Sequence, residues 1–398
     1  MTQQKQWNTT TTLLHKDEQM RKAKSSEALQ PHQLDLFQML VSENYSNSVE
    51  LYQTLPDLFS WKQDPHRNKD GTLPVLRRHW MYNKTEYRLN ISPANITVLD
   101  SSSKETSKAF YKTVIADFVE HALHKLSISD GFFLNNNSVN TDEFGLITTF
   151  YQVREELRRM WKKYSYAQIK EWISILAGLR YEMTWDISKA YGIDSFFSPI
   201  DLTIKNDRKN PHHSELYITF NKLVSKKILS LDWRGFNYSE FMKVKTSFWR
   251  TLFLRLSHKF KQADAIKGYH FLLSTLIKEW ALQDDLITTN IRTIQSALKD
   301  CHYIIDHYEV TEQHEINPKT NRRMMTDYKV VIYPTKNFQD DQYRLNSHYK
   351  NIQEHKITKE GEAIIKPMRD QYDRTTFNDF LNDQAKFELA SEWNSKNK

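Results

Sequence analysis

Glycine and cysteine are scarce in this 398-residue chain, which contains eight glycines and one cysteine. So few glycines argue against glycine-rich phosphate loops, dinucleotide-binding folds and β-sandwiches, because these need tight turns or close backbone approach. The single cysteine, Cys301, excludes a disulfide framework and a cysteine-rich zinc site. No Walker-type phosphate-binding motif is present, so we predict no ATP hydrolysis.

Long apolar runs are also missing. The N-terminal residues lack the apolar segment of a secretory signal, and no run approaches the length of a membrane span. These features predict a soluble, cytoplasmic protein without a membrane partner. With 39% apolar and 13% aromatic residues, the chain can build the cores of two or three domains.

Positive charge is concentrated between residues 222 and 267. This stretch holds three acids and eleven basic residues, namely Lys222, Lys226, Lys227, Arg234, Lys243, Lys245, Arg250, Arg255, Lys259, Lys261 and Lys267. Its net charge of 11 − 3 = +8 exceeds the +7 of the whole chain, so the remainder is nearly neutral. DNA binding takes much of its affinity from neutralised phosphates, so the stretch favours a nucleic acid partner. A solvated lysine face has the same composition and is the simpler alternative.

The order of predicted elements divides the chain into five parts. Residues 1–32 are polar and predicted to be disordered, and residues 33–75 are predicted to form short helices that dock on the body or on a second subunit. Residues 76–220 and 221–334 each end in two helices and a hairpin, which predicts two tandem winged-helix domains. Residues 335–398 are charged, show no core face, and are predicted to be a tail or interaction segment. The expected fold class is α+β and helix-rich, with flexible N- and C-terminal extensions.

Hydrophobic periodicity places the elements within the two domains. In the first we expect a strand at 87–91, helices over 106–126, 149–161 and 165–176, and strands at 180–186, 199–204 and 216–220. Ser165 and Gln168 have capping-box spacing at the start of the third helix. In the second we expect helices over 238–260 and 269–280, a third helix after Asp284 and Asp285, and strands at 303–310 and 328–333.

The third helix of each domain has the pattern of a DNA-reading helix, which fits the major groove with an apolar back and a polar front. In the second domain the back is Ile287, Ile291, Ile294 and Leu298, and the front is Thr289, Arg292, Thr293, Ser296 and Lys299. In the first domain the front is Lys163, Tyr164, Ala167, Lys170 and Ser174. An ordinary amphipathic surface helix shows the same polarity and remains the alternative.

Basic residues near the second reading helix are expected to contact phosphates without reading sequence, namely Lys243, Lys245, Arg250, Arg255, Lys259 and Lys261. Lys319, Arg322 and Arg323 occupy the tip of the last hairpin, where a wing reaches a minor groove or a phosphate. A basic hairpin tip in solvent is the alternative for these three residues.

The histidines do not predict an active site. His212 and His213 are adjacent, unlike the His-hydrophobic-His ligands of rolling-circle nucleases, and a loop is expected there. His121 and His124 have helical spacing but no compelling third metal ligand. We therefore predict no enzyme activity, no metal and no cofactor.

Several segments resemble bacterial plasmid replication initiator proteins of the Rep type. They are residues 146–157, 166–169, 174–176, 232–238 and 253–260, and the entry over 44–52 is similar too. The resemblance covers about residues 35–335. It implies tandem winged-helix domains that bind repeated double-stranded sites at a plasmid origin and help open the adjacent duplex.

The same resemblance implies partners beyond DNA. These are the host replication initiator, the replicative helicase and, through a monomer–dimer balance that limits copy number, a second copy in a homodimer. Two alternatives stay open from the residues alone. The chain is a winged-helix transcriptional repressor without an initiator role, or an adaptor that uses winged helices to bind protein.

Overall fold

The computed structural model describes residues 44–57, 67–68, 72–99, 105–129, 132–135, 143–188, 191–229, 232–264, 266–279, 287–299, 301–316 and 321–357. Within these ranges fifteen strands and ten helices form a mixed α and β fold, which is less helical than expected. The predicted disordered residues 1–32 and residues 358–398 of the predicted tail lie outside them. No helix in the described ranges is long and apolar enough to cross a membrane.

The first described part is mainly strands: β1 (Tyr45–Ser48), α1 (Glu50–Gln53), β2 (Leu76–Tyr82), β3 (Thr85–Ser92), β4 (Ala94–Leu99) and β5 (Glu105–Phe110). β2 pairs with β3, and β4 pairs with β5, in antiparallel hairpins. The predicted strand at 87–91 lies within β3. The helix predicted over 106–126 begins later than expected, because residues 105–110 pair with β4 instead of coiling.

The next part runs through α2 (Val114–Ser129), β6 (Phe132–Asn135), β7 (Glu143–Thr149), α3 (Phe150–Arg159), α4 (Tyr166–Gly178), β8 (Arg180–Ser188), β9 (Tyr191–Phe197), β10 (Ile200–Lys205) and β11 (Glu215–Phe220). Its strands form a sheet of order β10-β11-β7-β6. β8 and β9 do not belong to this sheet. They join β2 and β3 in a second sheet, of order β2-β3-β8-β9.

The last part contains α5 (Lys222–Leu229), β12 (Arg234–Asn237), α6 (Tyr238–Lys243), α7 (Ser247–Lys259), β13 (Tyr269–Leu272), α8 (Leu273–Glu279), α9 (Ile287–Lys299), β14 (Ile305–Ile316), β15 (Arg323–Pro334) and α10 (Lys336–Ile357). The single helix predicted over 238–260 is divided at residues 244–246. The helix predicted over 269–280 begins with a strand, because residues 269–272 pair with β15.

Two parts of the chain repeat one order of elements. With β6, β8 and β9 left out, α2, β7, α3, α4, β10 and β11 follow the same sequence of types as α7, β13, α8, α9, β14 and β15. In each corresponding sheet the last strand of the series lies between the other two. Both parts therefore contain a helix pair and a later hairpin, although in the first part β8 and β9 stand between them.

The two ends of the described chain meet on β12. β1 pairs antiparallel with β12, so that Tyr45 stands opposite Asn237, and α10 packs on the same strand. Where short helices were expected over residues 33–75, the described residues form β1 and the one-turn helix α1. The expectation that residues 335–398 lack a core face is wrong at the start of this segment, because Phe338 and Leu345 of α10 are buried.

A group of charged side chains is buried around α2. The Lys112 ammonium lies 3.0 Å from Asp57, 3.3 Å from Asp117 and 2.7 Å from Glu120. Charges removed from water are tolerated when they are paired, and here one cation serves three carboxylates. Burial raises the pKa of Asp57 to about 6, although Lys112 opposes the shift.

Candidate nucleic-acid interface

Helix α9 separates an apolar side from a polar one. Ile291, Ile294 and Leu298 are buried, and Arg292, Ser296 and Lys299 are exposed. Thr289 and Thr293 lie on the same helix, but the description of the structure does not extend to their side chains. The exposed side is thus polar and basic over at least two turns, as a groove-reading helix requires.

Helix α4 begins at a well-formed cap. The Ser165 side chain accepts from the Gln168 backbone N–H, and the Gln168 side-chain oxygen accepts from the Ser165 backbone N–H, as the spacing predicts. The buried side of α4 carries Ile169, Trp172, Ile173, Ile175 and Leu176. Of the predicted reading residues, Lys163, Ala167 and Lys170 are exposed and Tyr164 and Ser174 are half-buried. Lys163 and Tyr164 precede the helix, in the loop that leads into it.

The hairpin between β10 and β11 lies against the start of α4, a relationship that the sequence analysis missed. His212, in the short 3-10 helix Pro211–His213, stacks on Tyr166 with ring centroids 3.7 Å apart. The Arg154 guanidinium covers Tyr166 at 4.5 Å from the ring centre. Arg208 and Lys209 are exposed at the tip of this hairpin. Basic residues in a turn between two strands were the available signal, and the turn that carries them contacts the first residue of α4 through His212.

The hairpin between β14 and β15 is longer and has mixed charge. Arg322 and Arg323 are exposed near its tip, and Lys319 lies outside the described residues. Strand β14 carries exposed acids facing solvent, Glu309, Glu312 and Glu315. Because carboxylates repel phosphates, only the tip of this hairpin suits a DNA backbone.

Most of the basic stretch from 222 to 267 is not a free cationic face. Five of its cations stand beside carboxylates, in the pairs Lys227–Asp232, Lys243–Glu240, Arg250–Asp117, Arg255–Glu279 and Lys259–Glu50. Arg234 is buried and donates to Asn346. The exposed cations of the stretch include Lys222, Lys245, Lys261 and Lys267. The positive electrostatic field around this stretch is therefore weaker than a net charge of +8 would produce, because acids from outside the stretch neutralise part of it.

Arg250 and Arg255 do not fit the predicted phosphate contacts. The Arg250 side chain is fully buried, with its Nε 2.5 Å from Asp117 and its guanidinium between the rings of Phe118 and Phe241, at 4.2 and 3.8 Å. It also donates to the carbonyls of Phe241 and Val244. The Arg255 side chain is 11% exposed and paired with Glu279. Helical periodicity cannot detect such burial, because the partners come from distant elements.

Electrostatics around Arg250 extend to neighbouring groups. Burial alone would raise the pKa of Asp117, but Arg250 and Lys112 hold it well below its usual range. Lys162 lies over the Phe118 ring at 3.9 Å, and burial lowers its pKa to about 8, with Arg250 and Lys245 adding to the shift. Arg250 and Lys162 are thus held at this junction by aromatic faces and, for Arg250, by a carboxylate.

The histidines considered in the sequence analysis occupy two different environments. His212 and His213 are exposed on the β10–β11 hairpin, as a loop placement requires. His121 and His124 are buried, and burial lowers the pKa of His124 to about 3 and that of His121 well below its usual value. Within the part of the chain that the structure describes, no group of three His, Cys, Asp or Glu side chains could hold a metal ion.

No protein-family model matches this sequence, and no curated protein matches it either. The solved structures that show a partial likeness include two of RctB domains. A crystal structure of selenomethionine derivatives of domains 2 and 3 of RctB has a TM-score of 0.40 and 11% identity, covering 70% of this chain and 95% of that one. A second crystal structure of RctB domains 2–3 has a TM-score of 0.37 and 12% identity, covering 70% and 97%. Similarity at this level leaves function to be argued from this chain's own geometry.

Proposed function

We propose that this chain is a non-enzymatic, sequence-specific binder of double-stranded DNA that initiates plasmid replication. The observation that carries the proposal is the repeated order of helix, strand, helix pair and hairpin, with a polar, exposed face on α4 and on α9. In this proposal the order, with the last strand between the other two, is interpreted as a winged helix, and β8 and β9 are an insertion in the first one. Each repeat therefore supplies one reading helix and one wing.

In this proposal α9 is the principal reader. Arg292 is exposed on its polar side, and an arginine there can grip a guanine with two hydrogen bonds. Ser296 offers a hydroxyl to a base or a phosphate, and Lys299 a charge. The polar face of α4 carries less net positive charge than that of α9, because it includes Glu171. A carboxylate suits the major groove only where a cytosine amino group can donate to it.

Phosphate contacts are assigned to exposed cations. They comprise Lys243, Lys245, Lys259 and Lys261 of the basic stretch, Lys163 and Lys170 on the α4 side, and Arg208, Lys209, Arg322 and Arg323 on the hairpins. Arg250 and Arg255 leave the set because both are buried in ion pairs. Contacts of this kind position the protein without reading sequence.

The initiator role itself rests on the resemblance of residues 35–335 to Rep-type initiators. It includes binding of repeated origin sites, opening of the adjacent duplex, copy-number control through a homodimer, and recruitment of the host initiator and helicase. Two modules on one chain raise avidity through effective concentration, so neither needs tight binding alone.

Selection of binding sites from random duplex DNA across a salt series tests the proposal. We expect an enriched motif long enough for two helices, recurring beside an AT-rich segment of an origin. Enrichment at isolated promoters only would make the chain a repressor. No enrichment at any salt, together with salt-insensitive protein binding, would make it an adaptor and overturn the proposal.

A further inference from the structure

Trp161, at the end of α3, is unfavourable for folding in two respects. Its backbone is left-handed, with φ 60°, and its side chain is 86% exposed. The Trp161 N–H donates to the Arg158 carbonyl and the Lys162 N–H to the Leu157 carbonyl, both at 2.9 Å. This is the Schellman pattern, in which glycine usually holds the left-handed position. Strained backbone and exposed apolar surface at one residue indicate a role outside the folded core.

A groove of about 610 Å³ opens beside this tryptophan. Leu126, Leu146 and Ile147 contribute its apolar floor, and Tyr151, which is 44% exposed, lines one wall. We call this feature the Trp161 groove. Tryptophan, tyrosine and arginine around an apolar pocket are the residues that dominate binding energy in protein interfaces.

The rim of the Trp161 groove carries two glutamates and two arginines, and one of these arginines is largely exposed. Its two acids already stand beside cations: Glu156 lies 2.9 Å from Arg159, and Glu155 lies 3.6 Å from Arg158. The Arg158 side chain remains 68% exposed, and Lys163 is exposed two residues beyond the tryptophan. An apolar anchor flanked by carboxylates would complement both floor and rim.

We propose that residues 372–393 of this same chain dock in the Trp161 groove. They carry five aromatic residues (Tyr372, Phe377, Phe380, Phe387 and Trp393), five acids (Asp373, Asp379, Asp383, Glu388 and Glu392) and two basic residues. The apolar spacing of Phe377, Phe380 and Leu381 places anchors next to Asp379 and Asp383. Aromatic anchors therefore alternate with the carboxylates that the rim can accept.

The connection is long enough. Helix α10 ends at Ile357, twenty residues before Phe377, and twenty extended residues span up to about 66 Å. A globular chain of this size has a radius of gyration of roughly 21 Å. The segment can therefore reach the groove from any point on the surface where α10 ends.

Docking would place acidic side chains beside the start of α4, because Lys163 leads directly into that helix. The docked segment and a DNA backbone would then compete for the same cations. This consequence rests on the proposed function, whereas docking itself does not require DNA binding.

Photo-crosslinking in the full-length protein tests docking without DNA. We replace Tyr151, in the groove wall, with p-benzoyl-phenylalanine and map the crosslinked peptides by mass spectrometry. We expect crosslinks to residues 372–393 within one chain, and their loss in Trp161→Ala. The same photoreactive residue at Phe196, which is 70% exposed on β9, is the matched control and should not reach that segment.

Other outcomes overturn the proposal. Crosslinks between two chains at residues outside 372–393 would assign the groove to a second copy, and the absence of any crosslink to 372–393 would remove the segment from it. A D379N/D383N/E388Q variant should lose the crosslink and bind DNA at least threefold more tightly at low salt. A crosslink without any effect on DNA binding would keep docking and reject the competition.

Discussion

Arg250 and Asp117 form an ion pair in the interior, with the guanidinium Nε 2.5 Å from the carboxylate Oδ2. Arg250 belongs to α7 and Asp117 to α2, the first helices of the two repeats. The pair therefore joins the repeats through side chains that have no access to solvent. Arg250 is therefore a structural residue of the contact between α2 and α7.

Breaking this pair should destabilise the whole protein. We expect Arg250→Ala to lower the free energy of unfolding by about 3–5 kcal/mol, because Asp117 would remain buried without its closest cation. Denaturant unfolding followed by tryptophan fluorescence measures the change. Lys245→Ala removes an exposed cation from the same region and should stay within about 0.5 kcal/mol of the wild type. Equal stability of the two variants would contradict the burial of Arg250.

Changing the exposed arginine of α9 should affect specificity. We expect Arg292→Ala to cost about 1–3 kcal/mol on the selected DNA site and much less on random duplex, because a lost guanine contact carries sequence information. Equilibrium binding to both DNAs at one salt concentration measures the difference. An equal loss on the two would reduce Arg292 to a phosphate contact.

The exposed and the paired cations should differ in their salt effects. Lys261→Ala should reduce the slope of log K against log salt by about 0.9, the value for one phosphate contact on duplex DNA. Arg255→Ala should leave the slope unchanged, because its side chain is paired with Glu279. Binding isotherms from 50 to 300 mM salt, on the selected site, compare them. A smaller slope in Arg255→Ala would place that residue on the DNA.

The β10–β11 hairpin is expected to act as a wing. Arg208→Ala should weaken binding to every DNA sequence alike, since its side chain is exposed in the turn of the hairpin and belongs to no proposed reading helix. Lys205 provides a control on the same hairpin, because it pairs with Glu215 at 3.1 Å. If Lys205→Ala weakened binding as much as Arg208→Ala, the tip would have no special role.

Stability should depend on the ionisation of Asp57. Burial raises its pKa from 3.8 to about 6 in the folded state, so the folded protein holds that proton more tightly than the unfolded chain. Its stabilising contribution is complete below the unfolded pKa and is lost as the pH rises through 6. Relative to Asp57→Asn, the wild type should lose on the order of 3 kcal/mol between pH 4 and pH 7.

Chemical denaturation at both pH values tests this expectation. Asp201→Asn is a suitable control, because Asp201 is an exposed carboxylate on β10. A difference between wild type and Asp57→Asn that does not vary with pH would mean that Asp57 remains ionised throughout.

Local patterns predicted the elements whose causes are local. The cap at Ser165 and the apolar side of α9 follow from spacing within one helix, and both are found where expected. Residues 269–272 were assigned to a helix because their strand pairing is with β15, some sixty residues later. Arg250 was placed on the surface for the same reason, since its partner Asp117 is 133 residues away.

The candidate site also has features that depend on one helix and features that depend on contacts between elements. Exposed residues of α4 and α9 could be selected from helical periodicity, because a reading face needs only one helix. The contact between the β10–β11 hairpin and Tyr166 could not be predicted from periodicity, because it depends on His212 of one element stacking on Tyr166 of another. The sequence could not show that cations of the basic stretch are paired with acids, because Glu50, Asp117 and Glu279 all lie outside the stretch.

The pairing of β1 with β12, closed by α10, also bears on how quickly the chain can fold. Tyr45 donates to Asp341 across 296 residues, and Asn237 donates to the same carboxylate. Contacts between residues so far apart carry a large loop-closure entropy and slow the search for the native state. On the ribosome, β1 must wait for β12 before its backbone is paired, and for α10 before the Tyr45 hydroxyl meets Asp341. β1, β12 and α10 should therefore be the last elements to gain protection from hydrogen exchange during refolding.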